Sequence, residues 1–156
     1  MARDPKIPVA EEYVAALGRA AYNFSYLEWG IVWLTETLSP DFLKRVGGMT
    51  AGMIAREFEI LAAACSEPDA SELQSLAAVF KMLVLDRNAL FHGVPYTAAD
   101  GEQRLRHIGP AGRRDWSVEN ICDAARRFED AAIHATKLLH AGRFDAYSAT
   151  GRSLSV

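Results

Sequence analysis

Residues 13–38, YVAALGRAAYNFSYLEWGIVWLTETL, carry the longest unbroken pattern in the chain. Tyr13, Leu17, Ala20, Phe24, Leu27, Ile31, Leu34 and Leu38 recur at alternating steps of four and three residues. On a helix that repeats every ~3.6 residues these positions fall on one line. The stretch, extended back to about residue 9, therefore reads as a long helix with one face in a core. Ser39-Pro40 ends it, because proline disfavours helical backbone in the residue before it. A second line, Tyr22, Tyr26, Trp29 and Trp33, keeps the same rhythm but points to nearly the opposite side. A helix in a monomeric bundle needs only one apolar face. The surplus aromatic face calls for cover, either from a loop or the C-terminal tail or from a second copy. The aromatic richness of buried interface cores favours a homodimer.

Further along, Thr50 can cap a second helix with Ile54, Phe58, Leu61 and Cys65 inward. The nearby GGMTAG invites comparison with a phosphate loop, but no Gly-Lys-Ser/Thr follows and no strand precedes it. A third helix is expected over about 71–91, with Leu73, Leu76, Phe80, Leu83 and Val84 inward. Residues 93–117 are too long for a plain bundle connection. Asp100-Gly101 suggests a small hairpin there, between PYTA and QRLRH. Ser117 can cap the last helix, about 118–141, closed by Gly142. Its inner face is Ile121, Ala125, Phe128, Ala132, Ala135 and Leu139. The expectation is an all-α, antiparallel four-helix bundle with a long loop or small hairpin between helices 3 and 4.

At 156 residues the chain can bury one good core. It reads as a single domain over 1–156, with its core at about 9–141 and a mobile tail at 142–156. The net charge of −3 gives no global attraction to nucleic acid or an anionic membrane, so any such contact needs a local patch. No apolar run approaches the ~20 residues of a membrane span, and the N-terminus has no apolar signal region. Cys65 and Cys122 read as reduced core thiols. Together these features point to a cytoplasmic protein. His134 and His140 have no carboxylate or cysteine arranged for zinc, and neither metal nor cofactor is expected.

The stretch VLDRNALFHGVP, residues 84–95, bears most on function. Arg87 continues the inward line of Leu73, Leu76, Phe80 and Leu83. A guanidinium on that line needs an anion, because burying it unpaired costs several kcal/mol. One partner is Glu28, the carboxylate in the middle of the first helix, in a purely structural pair. The other is a phosphate, which arginine's planar fork suits. His92 lies about 140° around an ideal helix from Arg87. If Gly93 ends the helix, the ring can swing into the cleft beside the guanidinium.

RNALFH, residues 87–92, resembles the arginine, polar residue, three further residues and histidine of the HEPN superfamily. These are small helical bundles that often act as metal-independent ribonucleases. The helical layout is also similar to HEPN over about residues 9–141. The resemblance implies Arg87 and His92 as catalytic residues, with Asn88 orienting the histidine or the phosphate. It also implies a homodimer that brings two copies of the motif to one cleft. One histidine cannot be base and acid at once, so the surplus aromatic face acquires a chemical purpose. A toxin–antitoxin or defence role follows from the same resemblance, as does an antitoxin or nucleotidyltransferase-like partner. HEPN toxins controlled by adenylylation carry a tyrosine two residues after the histidine, where this chain has Val94. A non-catalytic module binding nucleotide, RNA or a protein through the same cleft is the alternative. Arg104, Arg106, His107, Arg113 and Arg114 crowd the loop after the motif. They read either as a solvated charged loop or as an RNA-binding surface on which Tyr96 and Trp116 stack unpaired bases.

Overall fold

The computed structural model describes residues 7–110 and 112–141. It is mostly helical: α1 (Glu11–Leu38), α2 (Ala51–Ala64), α3 (Ala70–Phe91) and α4 (Val118–His140), with β1 (Val94–Thr97), β2 (Gln103–Gly109) and β3 (Gly112–Trp116) between α3 and α4. The 13–38 seam is the core seam. Tyr13, Ala20, Phe24, Leu27, Ile31 and Leu34 are buried and Leu17 and Leu38 partly so. Phe24 lies at its centre, stacked on Phe80 of α3 (6.1 Å between centroids) and edge-on to Phe128 of α4 (5.2 Å).

The helix ends follow local chemistry. The Thr50 hydroxyl accepts the Met53 N–H (3.3 Å), and Ser117 and Asn120 form a reciprocal capping box at α4. Cys65 and Cys122 are free and half-buried. The expected tail, 142–156, and the closure of α4 by Gly142 lie outside the described residues.

Two expectations need correction. The chain is not all-α, because the segment after α3 forms a three-stranded antiparallel sheet in the order β1-β2-β3. The hairpin at Asp100-Gly101 is there, with Gly101 at φ +85° and the Asp100 carboxylate accepting the Glu102 N–H. A second turn at Gly109–Gly112, with Gly112 at φ +106°, adds β3. The sheet is pinned to the helices by Tyr13. Its hydroxyl donates to the Trp116 carbonyl (3.0 Å) and accepts the Leu105 N–H (2.9 Å).

The bundle is also not antiparallel throughout. Asn23 donates to the Ala125 carbonyl (3.0 Å), and a Cβ on Gly30 would lie 3.3 Å from that of Ala135. Both numbers rise together from the Tyr13–Trp116 contact, so α1 and α4 run in the same direction. By contrast, α2 opposes α3, with Gln74 on the Ala62 carbonyl and Lys81 on Glu59. Helix α3 ends beside β2, which is tied to the start of α1, so α3 opposes α1 as well. The return is therefore made between α1 and α2. The segment 39–50 buries Phe42, and the Glu36 carboxylate accepts its Asp41 and Leu43 N–H groups (3.0 and 2.8 Å). Among the described residues no helix is long and apolar enough to cross a membrane.

Candidate active site

Arg87 points from the last turns of α3 toward α1, as its place on the inward line requires. Its guanidinium is half-buried between the rings of Phe24 and Phe91, 5.7 Å from each centroid. Nη1 donates to the Asn88 side-chain oxygen (2.9 Å), the one hydrogen bond the side chain makes among the described residues. Its other donors are not sealed in, since the buried nitrogens without partners lie on other residues. Arg87, Arg104 and Arg106 are the half-buried arginines among the described residues. Both Arg104 and Arg106 sit on carboxylates, while Arg87 has none in contact.

Glu28 lies near enough to feel the Arg87 charge. It is half-buried, and loss of water raises its carboxyl above the ordinary glutamate range while the Arg87 charge pulls it back down. The two groups feel each other, yet no hydrogen bond or ion pair joins them. A closed structural pair is thus not what holds Arg87: a half-buried cation lies near an acid whose carboxyl burial pushes up.

Asn88 orients the arginine rather than the histidine. Its link to His92 is through the backbone, where the His92 N–H donates to the Asn88 carbonyl (3.0 Å). His92 caps α3 at φ −100°, ψ 11°, close enough to helical that the sequence splay persists. Its ring is exposed and makes no hydrogen bond, ion pair or ring contact among the described residues. The expected swing into the cleft does not occur within one chain. Gly93 is not left-handed. What it provides is room: a Cβ there would lie 3.0 Å from that of Leu105 and 3.2 Å from the Leu90 carbonyl. Glycine lets the sheet close directly onto the end of α3.

The loop arginines divide between the two faces of the sheet, because strand side chains alternate. Leu105 and Trp116 are directly paired and face the helices. Arg104, Arg106 and Arg113 lie on the other face with Tyr96 and Asp115. Asp115 accepts from Arg106 (2.7 Å) and Arg113 (2.8 Å), and these bonds, Arg113's first, hold its carboxyl far below the usual range. Arg104 pairs with Asp100 and Glu102. Arg114, on the inner face, stacks over Trp116 (3.9 Å) and shares Asp86 with Arg127 of α4. Each of the four expected RNA-binding arginines is thus matched to a carboxylate. Trp116 is completely buried and offers no platform to a base. Tyr96 lies under the Arg106 guanidinium, 3.8 Å away. Asp86 and Arg127, absent from the sequence reading, are the additions. The DRN run at 86–88 was a usable signal, because an acid beside an inward arginine must face a different neighbour.

The aromatic line on α1 is also displaced from the motif. Tyr22 and Tyr26 share a groove with Ile133, Thr136 and Lys137 of α4. Phe24 and Glu28 face α3, roughly 160° away at ~100° per residue. A two-fold contact through the aromatic line would leave the Arg87 clefts apart. His134 is half-buried and His140 exposed, and no cluster of three or more metal-ligand side chains occurs among the described residues. Compared with family models, curated proteins and solved structures, the chain matches none.

Proposed function

We propose that this chain is a HEPN-like, metal-independent endoribonuclease that acts on RNA as a homodimer, in a toxin–antitoxin or defence setting. The observation that carries the reading is Arg87: a half-buried guanidinium, aligned by Asn88 and flanked by two rings, with open donors and no carboxylate in contact among the described residues. A phosphodiester supplies the missing anion in the geometry a guanidinium prefers.

The chemistry assigned to the site is attack of an RNA 2′-hydroxyl on the adjacent phosphorus. The new O2′–P bond forms as the P–O5′ bond breaks, leaving a 2′,3′-cyclic phosphate and a free 5′-hydroxyl. A base takes the 2′ proton and an acid delivers one to O5′. Arg87 holds the non-bridging oxygens as charge builds on them. His92 moves the protons, one from each copy, which accounts for its position at the surface at the end of α3. Phe91 and Val94, both exposed beside it, offer apolar area for a second copy at that end. The test is single-stranded RNA with a chelator present. Wild-type protein should release cyclic-phosphate ends, and Arg87→Ala and His92→Ala should each lower the rate by at least about a hundredfold. Intact RNA with wild-type protein would end the enzymatic reading.

One observation favours a second reading, a non-catalytic module that captures a nucleotide, RNA or a phosphorylated partner. Among the described residues of one chain the His92 ring makes no contact with Arg87. On that reading Arg87→Ala abolishes binding of the anion and His92→Ala leaves it unchanged.

A further inference from the structure

The aromatic line of α1 has no cover among the described residues. Tyr22, Tyr26, Trp29 and Trp33 are 70, 55, 52 and 48% exposed, and Ile133 of α4 beside them is 48% exposed. Half of four such side chains is on the order of 400 Å² of contiguous aromatic surface. That is about half of what one partner contributes to a standard stable interface, before Ile133 and its neighbours are counted. Isolated exposed apolar residues are ordinary; a continuous strip of this size marks a contact surface.

Two details identify the occupant. Glu129 and Lys137 lie four residues either side of Ile133, both exposed and neither paired within the chain among the described residues. A two-fold axis through Ile133 sets Glu129 of each copy opposite Lys137 of the other, so the face complements itself in charge. Because α1 runs with α4 and Tyr26 shares the groove with Ile133, the same axis sets Gly18 of one copy opposite the region of Trp33 of the other. Gly18 stands in the middle of a helix, where glycine weakens the structure relative to alanine. Among the described residues a Cβ there would meet no atom within 4 Å, so their packing does not require the gap, whereas a bulky indole from a second copy would.

We propose that the α1–α4 aromatic face is a two-fold interface with a second copy of this chain, separate from the cleft at Arg87. It leaves both Arg87 clefts open, and it holds whether or not the protein cuts RNA. The experiment is particle mass by light scattering across a dilution series. Glu129→Lys and Lys137→Glu each place like charges across the axis, twice per interface. Each should halve the mass and weaken association about tenfold or more. An equimolar mixture of the two variants restores opposite charges at both positions and should regain the wild-type mass. Gly18→Arg, at a site where an added Cβ meets no atom of the described residues within 4 Å, should also halve the mass while leaving the thermal melt of the fold in place. Trp29 and Trp33 fluorescence should shift to the blue as the wild type associates. A mixture no heavier than its components, charge variants that keep the wild-type mass, or a wild type that stays at 17.1 kDa at all concentrations would overturn the proposal.

Discussion

Arg87 was legible in the sequence because its position is a matter of angle. It falls on the line of Leu73, Leu76, Phe80 and Leu83, and the structure sets it against Phe24 as that line demands. What surrounds it was not legible. The Asn88 bond depends on a rotamer, and the gap to Glu28 depends on how closely α1 and α3 approach. Glu28 gives the site a pH dependence of definite sign. Burial raises its folded pKa, so the fold favours the protonated acid. Its contribution to stability is full below the unfolded glutamate value, about 4.3, and is lost as pH rises through the raised folded value. Protonation also removes a negative charge beside Arg87, so inorganic phosphate should bind more tightly as pH falls through the same window. Glu28→Gln should flatten both trends, read by melts and calorimetric titrations across pH. Unchanged profiles would mean that Glu28 does not feel the cleft.

At the scale of elements, the helices could be read from periodicity and capping residues, whereas β3 could not. GRRDW carries too much charge to read as a strand. It is held by cross-strand pairing of Asp115 with Arg106 and by the burial of Trp116, neither of which has a periodic signature. The same loop defeats the count of arginines as a binding surface, since alternation sends them to two faces and places acids beside them. Two substitutions test how the sheet is joined to the helices. Tyr13→Phe strips the hydroxyl from a buried site and leaves the Trp116 carbonyl and Leu105 N–H without their partner. The expected cost is about 1–3 kcal/mol in denaturant melts, with faster amide exchange at Leu105. Gly93→Ala forces a methyl to 3.0 Å from the Leu105 Cβ. It should cost about 1–3 kcal/mol by overpacking, or else lift the sheet from the end of α3. A neutral Gly93→Ala would show that the sheet is free to move there.

Across the whole molecule, the number and order of helices followed from the sequence and their directions did not. Tight turns between successive helices would set α1 against α4, but the segment from 39 to 50 carries the chain back along the bundle. That makes α1 and α4 parallel neighbours. Sequence periodicity says which face is buried and nothing about the sense of a connection. This arrangement separates two surfaces that a reading of α1 alone merges: the aromatic face toward α4, and the Glu28 flank toward Arg87. In the proposals above the aromatic face associates with a second copy, while the Arg87 end captures an anion and meets the His92 of another copy. In the proposed function Arg87 receives a phosphate. The most direct measurement is the NMR signal of the Arg87 Nε–H, assigned by its loss in Arg87→Lys, during titration with a short single-stranded RNA in the presence of a chelator. A saturable shift of that signal, weaker in Asn88→Ala, is the expected result. An Arg87 signal that stays fixed while the sheet arginines move would contradict it and transfer the binding site to the outer face.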